Sequence, residues 1–454
     1  MSISQRLKST GIALCTAAIF TTGAVYAAAT IAPDTFVKVP VPAGFGVQAT
    51  ELDGPVFANA NGRTLYVWPF SRMRNGLTGD AKGKTNCTDK VLTETAGLAS
   101  PWPAGLVLPD LDTRPACTDM WIPELAPAEA KPVGSWTTIT RPDGRKQWAY
   151  DEQAVYTSSF DKQAGDVLGD RAGRAGGGDG PASRRPVGPP PNVPPGFAVR
   201  IVPTGVLVTN AAGYSLYAFD RDTATKTACT GTCEEKWVPV IAPELARMQG
   251  GWTTIERTNG VRQWVFRGKP VYRHAEDSYK GSLQGGDVPG WQNIYMQKAP
   301  PPPPGLTIQE TNVGLALADS RGHTLYIYNC ADDSFDQLRC DHPATTQAFR
   351  IAMCGAGDQA RCLQNWPMIQ AQPGAKSGSR VWSVVAIDPK TGKLAASGQV
   401  DAMHVWAFRG RPVYTFSGDK KPGDTEGDSF GEWRGSRNGF KAFFLRDDFL
   451  GNAG

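Results

Sequence analysis

The sequence predicts a mainly β protein: three tandem, disulfide-stapled β-rich repeat domains, each of two half-repeats, joined by Gly/Pro-rich linkers. Three observations predict it. Gly 51 and Pro 36 are high and aromatics are plentiful, with no long amphipathic pattern of 3.6 period, so short strands and turns dominate. One set of aromatic landmarks is written three times along the chain, the mark of a repeat architecture. Cysteines recur as pairs at those landmarks, and 454 residues exceed what one ordinary core accommodates.

In chain order, residues 1–27 read as a signal peptide. Arg6 and Lys8 give a positive start, Gly11 to Phe20 a short apolar core, and Val25-Tyr-Ala27 or Ala27-Ala-Ala29 a small-residue cleavage site. Lipoprotein processing at Cys15 is the rival, disfavoured because Leu14 stands where a small residue is needed. No later run reaches the ~18 apolar residues of a spanning helix, so no transmembrane segment is expected after the signal peptide. Two segments cannot bury a core: 169–196, rich in Gly, Pro and Arg, and the proline run 299–305. They delimit repeat domains at 30–168, 197–298 and 306–448.

Each unit opens with Gly-x-x-Leu-Tyr, ending at Tyr66, Tyr217 or Tyr326, and then places a cysteine before a tryptophan: Cys117/Trp121, Cys233/Trp237, Cys362/Trp366. A second half starts at Trp136, Trp252 or Trp382, passes a turn, reaches Trp148, Trp264 or Trp406, and arrives at Tyr156, Tyr272 or Tyr414. Asp143-Gly144 and Asn259-Gly260 predict hairpins over 136–150 and 252–266 with two-residue turns of positive φ. The third hairpin has a longer loop, Asp388 to Asp401.

Removing Cys15 leaves eight cysteines, an even number that favours disulfides in an oxidising compartment. Cys87/Cys117 and Cys229/Cys233 survive as pairs although their spacing differs, as expected if the side chains meet in space. Unit three adds Cys330, Cys340 and Cys354 to Cys362, and four cysteines permit three connectivities.

Leu216-Tyr-Ala-Phe-Asp-Arg-Asp222, Cys229-x3-Cys233-x3-Trp237, Arg257-Thr-Asn-Gly-x-x-Gln-Trp264 and Gly268-Lys-Pro-Val-Tyr272 resemble the bacterial secreted repeats with a Tyr-x4-Asp motif, the lipoprotein-15 type. The resemblance implies an exported repeat protein and no agreed catalytic activity. Its tyrosine and aspartate fall at Tyr156/Asp161, Tyr217/Asp222, Tyr272/Asp277 and Tyr414/Asp419. The pattern breaks at Tyr66, where Ser71 takes the aspartate place, and at Tyr326, where Ala331 does and Asp332 is one late. Those two half-repeats are expected to serve the motif poorly. The motif is either a ligand or redox site, or a tyrosine at a strand end with an aspartate accepting backbone N–H groups in the next turn; repetition favours the latter.

Carboxylate ladders at Asp161, Asp166, Asp170 and at Asp419, Asp424, Asp428 suggest calcium, whose ligands are oxygens on glycine-punctuated loops, but no bidentate glutamate completes an EF-hand pattern. Asp332, Asp333, Asp336 and Asp341 form a second such loop. His274, His323, His342 and His404 are scattered, no Cys-x-x-Cys-His attaches haem, and no Gly-x-Ser-x-Gly marks a serine nucleophile. No catalytic residue and no cofactor beyond that calcium is predicted. A formal charge of +4 without a basic, aromatic-interleaved stripe excludes nucleic acid as a dedicated partner. Trp68, Trp102, Trp291 and Trp433 lie outside the landmarks and, if exposed, suit stacking on sugars or a partner surface.

The sequence thus describes a periplasmic or secreted, non-catalytic protein acting as a multivalent binding or envelope-associated module, its partner an envelope protein or glycan, because linked weak sites gain avidity. The alternative is a metal- or redox-linked envelope protein supporting electron transfer.

Overall fold

The computed structural model describes residues 31–73, 76–94, 105, 107, 112, 114–169, 184–278, 280–312, 314–329, 359–392, 394–428 and 439–445. The signal peptide, Cys330, Cys340, Cys354, Asp170, the Asp332 to Asp341 loop, His342, Trp102 and Trp433 lie outside them.

Each unit begins with a hairpin, Gly46–Ala49 with Pro55–Ala58, Phe197–Val202 with Gly205–Asn210, and Thr307–Thr311 with Gly314–Ala318. The Leu-Tyr landmark then starts a buried tyrosine strand: Tyr66–Val67, Tyr217–Phe219, Tyr326–Asn329. A short helix bears the second cysteine and ends at the landmark tryptophan: Cys117–Met120, Thr232–Lys236, Gln359–Asn365. The predicted hairpins follow, with Trp136 opposite Tyr150, Trp252 opposite Phe266 and Trp382 opposite Phe408.

The turns differ from expectation. Arg141 N bonds Arg145 O and Gly144 N bonds Arg141 O, at 2.9 Å each, so the loop has three residues and only its glycine, φ 82°, is left-handed; unit two repeats this at Gly260. The two-residue turns with positive φ at both positions come one strand later, at Asp151-Glu152, Arg267-Gly268 and Arg409-Gly410. They return the chain into Gln153–Ser158, Lys269–Pro270 continuing to Tyr272–His274, and Arg411–Tyr414.

A closing strand covers the other edge of each tyrosine strand: Arg185–Pro186, Trp291–Asn293, Gly439–Ala442. The first of these falls inside the stretch read as a linker. Its neighbour Val187 is buried and exchanges backbone hydrogen bonds with Leu65 and Phe57, so residues 184–187 are part of unit one.

The units are also not beads on linkers. Leu52 of unit one, Val202, Leu207 and Leu283 of unit two, and Leu317, Leu325, Trp382 and Phe408 of unit three form one buried apolar cluster. Around it Arg409 Nη2 meets Asp53 Oδ1 at 2.8 Å with both side chains 2% exposed, and Glu51 Oε2 accepts bonds from Ser379 Oγ and Arg380 N. Removing one partner of such a buried pair costs about 3–5 kcal/mol.

Candidate functional site

The tyrosine strand and the return strand run antiparallel, with Tyr66 opposite Tyr156, Tyr217 opposite Tyr272 and Tyr326 opposite Tyr414. Chains leaving two antiparallel strands diverge to opposite ends. The aspartate that follows one tyrosine is therefore carried beside the hydroxyl of the other, and the motif pairs across halves.

In unit two the exchange is reciprocal: Tyr217 OH donates to Asp277 Oδ2 at 2.8 Å and Tyr272 OH to Asp222 Oδ2 at 2.7 Å. Tyr66 OH donates to Asp161 and Tyr326 OH to Asp419, at 2.8 Å each. Both tyrosines expected to serve poorly are thus fully engaged, because each needs the aspartate of the opposite half and not its own. Unit one also supplies the missing acceptor: Tyr156 OH donates to Asp80 Oδ2 at 2.6 Å. Asp80 accepts from Asn86 N as Asp222 accepts from Ala228 N, six residues on in both cases. The hairpin Ser71–Met73 with Gly76–Thr78 is an insertion that displaces the aspartate along the sequence without moving it from the clasp. The cue was in the sequence, since Asp80 and Asp222 each stand seven residues before a cysteine.

These tyrosines are 0% exposed. Burial raises the Tyr156, Tyr217, Tyr272 and Tyr326 hydroxyls above the usual phenol range, and the facing carboxylates add to it. Burial likewise pushes Asp80 up to about 6, Asp161 to about 7 and Asp419 to about 6, against the tyrosine and backbone donors that favour the charged form.

The landmark tryptophan meets the first tyrosine edge-on at 5.4 Å in every unit: Tyr66–Trp121, Tyr217–Trp237, Tyr326–Trp366. Gly169 and Gly427 sit where a Cβ would fall 2.8 Å from the Trp121 and Trp366 rings, and at Gly285 it would fall 2.6 Å from the Tyr217 ring. Only glycine permits that approach, and it lies eight residues after the aspartate each time. The first cysteine pairs are bonded, Cys87–Cys117 and Cys229–Cys233, and Cys362 is also in a disulfide. Arg141 and Arg257, both buried, tie these loops to the second half by bonding Cys87 O and Cys229 O at 3.1 and 2.8 Å.

The ladder aspartates are distributed over backbone donors. Asp166 Oδ2 accepts from Lys162 N and Gln163 N at 2.8 Å, Asp424 Oδ2 from Lys420 N and Lys421 N at 2.8 and 2.9 Å, and Asp428 Oδ1 from Ala442 N at 2.8 Å. Among the described residues no group of three His, Cys, Asp or Glu is placed to hold a metal ion. Trp68 and Trp291 are 3% and 7% exposed, so neither offers the open ring face expected for sugar stacking.

Fold and site together define a mainly β, disulfide-stapled repeat protein whose units are closed by crossed tyrosine–aspartate bonds. The family model of a secreted repeat of unknown function, the lipoprotein-15 type, matches residues 199–241 and 400–435, the first half of unit two and the second half of unit three. No curated protein and no solved structure matches the chain. No helix among the described residues is long and apolar enough to cross a membrane.

Proposed function

We propose that the chain is an exported, non-catalytic interaction module, periplasmic or secreted, whose repeated motif builds the scaffold while its surface does the binding. One observation carries this reading: five tyrosine–aspartate pairs are buried against each other, each phenol donating to its carboxylate, which leaves the motif sterically shielded. Exposed apolar side chains instead collect after the Trp237–Pro239 strand, at Ile241, Leu245, which is 90% exposed, and Met248. Residues of that kind in one short segment suit contact with an envelope protein. The test is co-sedimentation of full-length protein with an envelope fraction. Leu245→Ser with Met248→Ser should lower the bound share severalfold at unchanged Tm, and undiminished binding overturns this surface assignment.

A second reading, an envelope protein supporting electron transfer, is favoured by one feature of unit two. Trp237 and Trp291 are stacked at 3.7 Å and 6°, beside Tyr217. Reversible one-electron chemistry in the purified protein would support it, and redox silence would remove it.

A further inference from the structure

The three units surround one clasp with different chemistry, and three differences converge on unit two. The first is what lies on the landmark tryptophan from the closing strand. Trp121 carries the Arg184 guanidinium at 4.5 Å, and Trp366 carries Phe440 at 3.5 Å. Trp237 carries a second indole, Trp291, which stacks in turn on Phe219 at 4.5 Å. A cation over an indole raises the cost of removing an electron from it, and a phenyl ring is much harder to oxidise than an indole. Two stacked indoles share a positive vacancy.

The second difference is position 274. The residue two beyond the return-strand tyrosine is Ser158 in unit one and Phe416 in unit three; in unit two it is His274, tilted on Trp237 at 4.4 Å with its side chain 6% exposed. The third is the acceptor. Asp161 Oδ1 and Asp419 Oδ1 each take a backbone N–H, from Leu168 at 2.8 Å and Glu426 at 3.0 Å. Asp277 Oδ1 has no hydrogen-bond donor among the described residues, and His274 Nδ1 stands 3.7 Å away. Unit two alone thus sets a carboxylate oxygen with no close donor beside an imidazole, an arrangement that its two counterparts lack.

We propose that unit two is a one-electron relay: Trp291 and Trp237 carry an electron vacancy inward, and Tyr217 fills it as a proton-coupled donor whose phenolic proton passes to Asp277. The oxidant is an outer-sphere one-electron acceptor of high potential, such as a metal complex docked near Trp291. It takes one electron from the Trp291 ring; Trp237 refills Trp291, and Tyr217 refills Trp237. The Tyr217 O–H bond breaks as its proton passes along the hydrogen bond to Asp277 Oδ2, the two oxygens 2.8 Å apart, within the reach a base requires. The products are the acceptor reduced by one electron, a neutral Tyr217 phenoxyl and a protonated Asp277. A one-electron donor reverses the last step and returns the proton. This inference deepens the electron-transfer reading and is independent of the docking surface.

The experiment is flash-quench photo-oxidation of the full-length protein by tris(bipyridine)ruthenium(III), read by transient absorption and electron paramagnetic resonance. A phenoxyl signal following an indolyl one is expected. Tyr217→Phe should remove it and leave the indolyl radical, and Asp277→Asn should slow its appearance by about a hundredfold. Trp291→Phe, which borrows the Phe440 arrangement of unit three and so keeps the scaffold, should slow it severalfold if Tyr217→Phe does not fold. Tyr66→Phe and Tyr326→Phe should leave the signal in place. A phenoxyl yield indifferent to Trp291→Phe and Asp277→Asn overturns the proposal. Reversible voltammetry without a Tyr217-dependent radical would also overturn it while leaving electron transfer by another route intact.

Discussion

Unit one and unit two close the same clasp from different sequences. In unit two the acceptor Asp222 follows Tyr217 by five residues; in unit one Asp80 follows Tyr66 by fourteen, beyond an inserted hairpin, yet Tyr156 reaches it at 2.6 Å. The closing strand differs as well, Arg184 lying between Trp68 and Trp121 at 4.0 and 4.5 Å where unit two stacks indoles. What persists is the crossed pairing and the bonded cysteines, while local spacing and even the chemical type of the covering group vary. The unit is therefore specified by contacts between its halves, and a reading confined to one half misjudges it.

That contrast can be broken in graded steps, and the pH dependence should be largest. Asp161 is raised from 3.8 to about 7 and Asp80 to about 6 in the folded chain. Their contribution is fully present below about pH 4 and is lost as pH rises through 6 to 7, because the unfolded carboxyls release protons earlier. Asp161 alone amounts to roughly 4 kcal/mol over that window, so Tm should climb on going from pH 8 to pH 5, and Asp161→Asn should flatten the climb. A Tm that falls over that interval would refute it.

Cys87→Ser with Cys117→Ser follows, at about 3.6 kcal/mol by chemical denaturation against about 2 kcal/mol for Cys229→Ser with Cys233→Ser, since the longer loop costs more to close. Equal losses would mean that loop length is not what separates the two units. Tyr66→Phe, which leaves Oδ2 of the buried Asp161 without its phenol donor, should cost about 1–3 kcal/mol, whereas Tyr66→Phe with Asp161→Leu should cost less than the sum of the single changes. The smallest effect is expected at Arg184→Leu, about 1 kcal/mol from the lost cation–ring contact, seen as a shifted urea midpoint.

Much of this was legible in the chain. Tryptophans and tyrosines at constant offsets located the hairpins, and Trp136 and Trp252 pair where their spacing placed them. Turn chemistry was misjudged because Asp-Gly and Asn-Gly serve three-residue loops as readily as two-residue ones, and because Asp151-Glu152 adopts φ 46° and 65° with no glycine to announce it. The partner of Tyr66 was illegible since Asp161 stands 95 residues away, and only an antiparallel register joins them. Arg184 was hidden inside a Gly/Pro-rich run whose composition reads as linker although its last residues fill a sheet edge. The shared cluster around Leu52, Leu207 and Leu325 was illegible for a related reason, because repetition within units says nothing of how they meet.

Reciprocity carries a consequence for assembly. The half of a unit that is synthesised first holds a phenol and a carboxylate whose mates are still to come. Until the second half arrives, the complementary half of a neighbouring copy satisfies both groups equally well. Swapped dimers, favoured by crowding among incomplete chains, are the natural misassembly of this architecture.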